Sequence, residues 1–271
     1  MSYYTSLDGL QNAQTDLGVI SNNIANANTD GFKASTISFA DIISNSALTD
    51  PSLTVGLGSR VQAITQHFSL GSMQQTGNAL DLAINGDGFF ITRSPTSNVT
   101  GYTRAGAFTV NGAGFVVDSS GDRVQTFPVD ATGTATSTTP ADGQVPLTNA
   151  AGAQFTGVSV SGSGVITASY ADGTTTAVGS VALASFPSQT GLKQMGNATW
   201  SATGNSGAAI LGQPATGDYG ALLSGTLEGS NVDLSTQLVG LVGAQQFFQA
   251  NAKAIDTNTQ ITSTLINLHS Q

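Results

Sequence analysis

The chain has 271 residues, a hydrophobic fraction of 39% and a formal net charge of −9, enough material for one large or two small hydrophobic cores. The seven Lys and Arg residues are scattered singly, so the chain lacks the basic patches on which nucleic-acid binding rests, and we expect no nucleic-acid partner. Because cysteine is absent, the sequence excludes disulfides, thiolate nucleophiles and cysteine-ligated metals.

An amphipathic helix is predicted over residues 3–28. The face opposite its apolar stripe is rich in Asn, Gln and Ser, which favours packing inside a helical bundle over full exposure to solvent. The stretch Asn28-Thr29-Asp30-Gly31 is predicted to end the helix, because Gly and Asn tolerate the left-handed conformation of helix C-caps. The apolar positions that recur in steps of three and four residues are Leu7, Leu10, Ala13, Leu17, Ile20 and Ile24.

Between the two ends, the sequence alternates β-patterned stretches with loops and turns. Leu80, Leu82 and Ile84 alternate with Asp81 and Ala83, as expected of a half-buried strand. Hairpin turns are predicted at Asn111-Gly112 and Asp172-Gly173. The β-patterned stretches are 59–128 and 155–186, and the segment 32–43 is predicted to be extended. The segments 44–58 and 130–150 are predicted to be connectors, and 187–229 is predicted to be a Gly-rich loop with short strands.

A long second helix is predicted from Asn231 to Leu268. Asn231 or Ser230 is suited to the N-cap position, and Asp233 lies in the first turn, where the helix dipole favours an acid. The ladder of alternating steps of four and three consists of Leu234, Leu238, Leu241, Gln245, Phe248, Ala252 and Ile255. Because this spacing is that of a coiled-coil seam, the helix is predicted to pair with another helix.

These elements predict an α+β fold in which the N- and C-terminal helices pair as a coiled coil and flank mainly antiparallel β domains. Each helix would be marginally stable alone, so each needs the other as its partner. We expect a terminal helical coiled-coil domain from 1–30 with 231–271, a β-rich middle domain from 31–130 with 187–230, and a small outer β domain over 131–186.

No group of residues predicts catalysis, a cofactor site or a metal site. The two histidines, His67 and His269, belong to no Ser-His-Asp set or HExxH motif. Gly86-Asp87-Gly88 is a turn with no helix after it, which argues against nucleotide binding. The pair Asp118 and Asp122 lacks the spacing and the terminal Glu of a calcium loop. We therefore expect no enzymatic activity and no cofactor.

The sequence also predicts no membrane insertion and no conventional signal peptide. No run approaches the roughly 18 apolar residues of a membrane span. Residues 1–32 contain no Lys or Arg and carry Asp8, Asp16 and Asp30, whereas a signal peptide starts with positive charge. We expect any export to occur without a cleaved signal peptide.

Four stretches of the sequence resemble the bacterial flagellar rod and hook protein family. The first is Asn22-Asn23-Ile24-Ala25-Asn26 followed by Thr29-Asp30-Gly31-Phe32-Lys33. The others, in the same order as in the family, are Leu80–Phe90, Tyr102–Phe108 and Ser230–Lys253. The motif residues that this resemblance carries over are Asn22, Asn23, Asn26, Gly31, Phe32, Lys33, Asn231 and Asp233.

The resemblance implies a homopolymer, a helical tube in which the terminal helices form an inner coiled-coil layer around a channel. It also implies export through the flagellar type III apparatus and a location outside the cell, in the flagellar hook or basal body. The residues expected to form the coiled coil and the subunit interface are Leu7, Leu10, Leu17, Ile20, Ile24, Leu234, Leu238, Leu241, Phe248, Ala252 and Ile255.

Within the family, Gly56–Val61 and Leu80–Phe90 most resemble the hook proteins. That likeness implies a flexible tube that transmits motor torque from rod to filament, with the distal rod protein, the hook cap and the hook–filament junction proteins as partners. The length is short for a hook subunit, so a distal or proximal rod subunit is the alternative. A remote alternative is an extracellular β-rich binding module, for which Trp200 is the only Trp available.

Overall fold

The computed structural model of the chain describes residues 2–43, 56–130 and 133–269, which form two compact units. The helical unit consists of Met1–Ala27, Ala34–His67 and Val232–Gln271. The β unit consists of Asn28–Lys33 and Phe68–Asn231. Most of the loop predicted at 44–58 lies outside the described residues.

The helical unit contains two helices and a two-stranded antiparallel ribbon. These elements are α1 (Ser2–Ala25), α2 (Leu234–His269), β1 (Ser35–Ile43) and β2 (Gly56–Gln66). The helices run antiparallel: Gly9 in the first half of α1 faces Asn251, whereas Asn23 near the end of α1 bonds to Gln237 in the first turn of α2. The predicted pairing of the two ends of the chain is confirmed.

The start of α2 differs from the prediction. The helix begins at Leu234, and its N-cap is Asp233 rather than Asn231 or Ser230. The Asp233 carboxylate accepts the Thr236 amide at 3.0 Å, and the Asp233 carbonyl accepts the Gln237 amide at 3.0 Å. A carboxylate satisfies an otherwise unpaired amide and also complements the positive end of the helix dipole, so Asp233 is the better cap.

The β unit is built almost entirely from short antiparallel strands. They are β3 (Met73–Gln75), β4 (Leu82–Asn85), β5 (Phe89–Arg93), β6 (Thr100–Thr103), β7 (Thr109–Val110), β8 (Val116–Val117), β9 (Arg123–Phe127), β10 (Ala141–Asp142), β11 (Phe155–Val160), β12 (Val165–Tyr170), β13 (Thr175–Val181), β14 (Leu183–Ser185), β15 (Lys193–Gly196), β16 (Thr199–Ser201), β17 (Ile210–Gly212), β18 (Ala221–Ser224) and β19 (Thr226–Glu228). The main sheet has the order β11-β12-β13-β9-β5-β6-β16-β15. A mainly antiparallel β structure between the helices was predicted, and the strand pairings confirm it.

Strand β5 is buried on both faces and separates two hydrophobic clusters. Phe90 packs into one cluster, and Phe89 and Ile91 pack into the other. Trp200 belongs to the second cluster and is only 1% exposed, so it cannot form the exposed aromatic platform that a binding module would need. The structure also places β11–β13 in the same sheet as β5 and β9. The division of the chain into three domains stays a prediction.

Candidate functional site

Several residues of the predicted family motif lie in two polar clusters, one inside each unit. In the helical unit, the first cluster centres on Asn23, which is 1% exposed. Its Nδ2 donates to the carbonyl of Ser35 at 2.8 Å and to Oε1 of Gln237 at 3.1 Å. Its Oδ1 accepts the amide of Ser35 at 2.9 Å. One side chain therefore joins α1 to both β1 and α2.

The neighbouring motif residues shape the end of α1. The Asn26 side chain donates to the carbonyl of Asn22 at 2.9 Å, and the same carbonyl accepts the Asn26 backbone amide at 3.1 Å. The Asn22 side chain itself is exposed. In the same unit, Nδ2 of Asn12 donates to the carbonyl and to the hydroxyl of Ser59, at 2.8 and 2.9 Å. The amide side chains of Asn12 and Asn23 thus bond α1 to the ribbon.

In the β unit, the second cluster is formed by charged side chains withdrawn from solvent, and we call it the buried ion cluster. It consists of Lys33, Arg104 and Glu228, whose side chains are 0%, 1% and 0% exposed. Lys33 Nζ lies 2.5 Å from Glu228 Oε1, and Arg104 Nη1 lies 3.3 Å from Glu228 Oε2. Oε1 also accepts the Gly71 amide at 3.0 Å, and Lys33 Nζ donates to the Ser69 carbonyl at 2.8 Å.

The cluster holds two cations against one anion. Burial lowers the pKa of Lys33, and the Glu228 carboxylate offsets this only in part. Burial likewise lowers the pKa of Arg104. The Arg104 guanidinium lies 5.1 Å from the centre of the Phe89 ring, a favourable cation–π position. Within the described residues, Arg104 Nε is buried without a hydrogen-bond partner.

Gly31 and Phe32 bring the N-terminal motif into this cluster. Gly31 has φ +68°, and its amide donates to the Glu228 carbonyl at 2.7 Å. A Cβ at Gly31 would lie 2.4 Å from the backbone nitrogen of Ala105, so only glycine fits there. Phe32 is buried beside it. The motif residue Asn231 donates to the Ser69 carbonyl and hydroxyl, at 3.2 and 3.0 Å.

Arg104 and Glu228 are functional candidates that the sequence patterns did not single out. Their partners are far away in the chain: 195 residues separate Lys33 from Glu228, and 124 separate Arg104 from Glu228. A usable signal was present nonetheless. Charged residues make up only 8% of the chain, so an isolated Arg inside a β-patterned stretch, or an isolated Glu just before the second predicted helix, is unusual and points to a buried pair.

The predicted interface residues differ in exposure. Leu234 and Leu238 are 47% and 48% exposed, and Val239 next to them is 75% exposed. Other exposed apolar side chains of α2 are Val242, Phe247, Ile261, Leu265, Ile266 and Leu268. The residues that are buried or partly buried within the helical unit are Leu7, Leu10, Leu17, Ile20, Ile24, Leu241, Phe248, Ala252 and Ile255. The two helices therefore leave a large apolar surface of α2 uncovered.

Across 2–43, 56–130 and 133–269, no group of three or more metal-ligating side chains is placed to hold an ion. No helix in the described part of the chain is long and apolar enough to span a membrane. The His67 ring is paired with the Thr36 hydroxyl at 2.7 Å.

Three stretches of the chain match sequence families of flagellar proteins. Residues 4–33 match "Flagella basal body rod protein", residues 83–168 match "Flagellar hook protein FlgE/F/G D1 domain", and residues 223–268 match "Flagellar basal body rod FlgEFG protein C-terminal". The matched stretches contain α1, most of the first half of the β unit, and α2.

Full-length relatives of two kinds are similar to the chain. The flagellar basal-body rod protein FlgG of Bacillus subtilis is 36% identical over 285 residues, covering 98% of each chain. FlgG of Agrobacterium fabrum is 31% identical over 271 residues, covering 94% of each. The flagellar hook protein FlgE of Escherichia coli is 27% identical over 408 residues, covering 99% of this chain and 100% of the relative.

Fold and clusters define a structural subunit whose two ends pair as an antiparallel helical hairpin and whose middle is a β body. With these similarities, the chain belongs to the flagellar rod and hook protein family, FlgE/F/G. It is a subunit of the axial structure of the flagellum, in the rod–hook part. The family is structural, which confirms that the chain is not an enzyme.

Proposed function

We propose that the chain is a subunit of the flagellar rod. The observation that carries this proposal is the length over which its relatives align. The rod proteins align over 285 and 271 residues, close to the 271 of this chain, whereas the hook protein aligns over 408. The hook protein therefore contains a large segment with no counterpart here. This favours the rod alternative over the hook, to which the sequence motifs alone had pointed.

The polymer interface is proposed to include the uncovered apolar surface of α2. Leu234, Leu238 and Val239 are exposed in the single subunit, although exposed apolar patches of this kind usually mark contacts with other proteins. In a helical polymer, each copy would cover the patch of its neighbour through a heterologous contact that repeats without closing. Further copies of this chain, adjoining axial proteins and the flagellar type III export apparatus are the proposed partners.

A substitution at Val239 tests the interface. Val239→Glu places a charge at a position that is 75% exposed, so monomer stability should change by less than about 0.5 kcal/mol. Burying that charge between subunits should prevent incorporation into basal bodies. Val239→Leu keeps the site apolar and is the matched control. Incorporation of Val239→Glu at the wild-type level would remove α2 from the interface.

Immunogold electron microscopy of isolated hook–basal bodies tests the assignment itself. The chain is labelled with an antibody against the β unit. If this antibody does not reach the assembled protein, an epitope is inserted in the β unit and labelled instead. In either case the label is expected along the rod. Label along the curved hook would overturn the rod assignment and restore the hook.

A further inference from the structure

The chain passes between its two units four times, and each passage lies near the buried ion cluster in sequence. The passages follow Ala27, Lys33, His67 and Asn231. Lys33 is itself a member of the cluster, Ser69 and Gly71 bond to it just after the third passage, and Glu228 lies three residues before the fourth. Three of the four places where the chain enters or leaves the β unit therefore lie at or within three residues of one set of charges.

Glu228 is the centre of this arrangement, because each of its three oxygens is used. Its Oε1 accepts from Lys33 and from the Gly71 amide, and its Oε2 accepts from Arg104. Its backbone carbonyl accepts the Gly31 amide at 2.7 Å. One residue thus joins the segment after α1, the segment after β2 and the segment before α2, all within the β unit.

Stability alone does not account for charges in this place. Burying an ion costs several kcal/mol, and well-packed apolar side chains of similar volume often give equal or greater stability. The cluster also carries one cation in excess, which adds to the cost. Charge-assisted hydrogen bonds differ from apolar contacts in fixing distance and direction. What the ions supply beyond stability is a defined geometry for the segments they hold.

We propose that Glu228, with Lys33 and Arg104, is a positioning site for polymerisation. It fixes the places where the chain leaves the β unit, so that these segments leave the β unit in the same way in every subunit. In an open helical polymer the same contacts are repeated at every step. Any variation in the direction in which the chain leaves the β unit is therefore repeated as well. The inference requires an axial polymer and is independent of the assignment to rod or hook.

The test separates incorporation from subunit stability. A strain lacking the gene is complemented with the wild-type chain or with Lys33→Met, Arg104→Met and Glu228→Leu combined. Chain recovered in isolated hook–basal bodies is compared with total chain by immunoblot, and the unfolding midpoint of each purified protein is measured. The combined variant should keep its midpoint but be incorporated at least about tenfold less, which corresponds to about 1.4 kcal/mol in the free energy of incorporation.

Two references complete the experiment. Removing the half-exposed pair by Arg123→Gln with Asp142→Asn should leave incorporation unchanged, because that pair touches none of the four passages. If the combined variant is unstable, Glu228→Asp keeps the charge but shortens the side chain. Its incorporation should then fall further than that of Leu82→Ala, a core variant chosen for an equal or larger loss of stability.

Either of two results would overturn the proposal. One is incorporation of the apolar variant at the wild-type level. The other is a loss of incorporation that follows the loss of stability equally in Glu228→Asp and Leu82→Ala. Absence of the wild-type chain from the isolated structures would instead contradict the axial function, so the two failures are distinguishable.

Discussion

Replacing Glu228 by Gln should destabilise the β unit far more than the small change in side-chain structure suggests. Gln keeps the shape of the side chain and an oxygen that can accept the Gly71 amide. It removes the negative charge that, among the described residues, is bonded to both Lys33 and Arg104, whose side chains are 0% and 1% exposed. Two cations would then remain buried without an opposite charge bonded to either.

The magnitude follows from burial. Removing one partner of a buried ion pair costs about 3–5 kcal/mol, whereas an exposed pair is worth about 0–1 kcal/mol. The same unit contains a partly exposed ion pair for comparison: the side chains of Arg123 and Asp142 lie 2.7 Å apart but are 31% and 27% exposed. Asp142→Asn should therefore cost under about 1 kcal/mol. The difference between the two variants is a large share of the roughly 5–15 kcal/mol that stabilises a typical domain.

Urea unfolding followed by tryptophan fluorescence measures this difference. Trp200 is the only Trp in the chain, and it lies in a core cluster of the β unit, so its signal reports that unit. An unchanged dependence on urea concentration would show that the unfolding transition is the same in all variants. A cost for Glu228→Gln no larger than that for Asp142→Asn would refute the reasoning from buried charge.

Three further predictions concern the same motif. Asn23→Ala should lower the free energy of unfolding by about 2–4 kcal/mol, because it leaves buried backbone and amide groups unpaired. Asn22→Ala at the exposed neighbour should lower it by under about 0.5 kcal/mol. Urea unfolding followed by circular dichroism at 222 nm measures both changes. Gly31→Ala should cost more than Gly77→Ala; both have positive φ, which costs Ala about 1–2 kcal/mol, but only at Gly31 would the new Cβ meet backbone. Burial, with a smaller effect from a neighbouring carboxylate, raises the pKa of Asp30 above 3.8, so ionised Asp30 destabilises the fold. Asp30→Asn should therefore be more stable than wild type at pH 7. This advantage in stability should shrink as the pH falls through the raised pKa, and it should vanish below pH 3.8. A cost for Asn22→Ala equal to that for Asn23→Ala, equal costs at the two glycines, or an advantage of Asp30→Asn that persists at low pH would each contradict the corresponding argument.

The helical ends were predictable because their signals are local. Apolar residues at steps of three and four reveal an amphipathic helix without knowledge of its partner. The position of the seam was harder to predict. In the structure the less exposed positions of α2 include Leu241, Phe248 and Ile255, as predicted, but also Gln237 and Asn251. Polar residues in a seam are invisible to a pattern that counts apolar ones.

The β unit and its ion cluster show where sequence reasoning ends. Alternation and turn residues located the strands, but the prediction that the strand at Leu82–Ile84 is half-buried was wrong, because Leu82, Ala83 and Ile84 are all buried. The sheet order also joins strands that are distant in sequence, such as β5 with β14. The cluster depends on the same distant pairing, since Lys33 and Glu228 meet only after the β unit has folded. Gly31 was predicted as a helix cap from its left-handed tendency; its positive φ is present, but its close approach to Ala105 is a tertiary effect.

The rod assignment is tested most directly by electron cryotomography of cells that lack this gene. A rod subunit is needed before the hook can be attached, so the account predicts basal bodies with a shortened rod and no hook. Restoring the gene should restore both. Basal bodies with a complete rod that lack only the curved hook would contradict the account and identify the chain as the hook subunit.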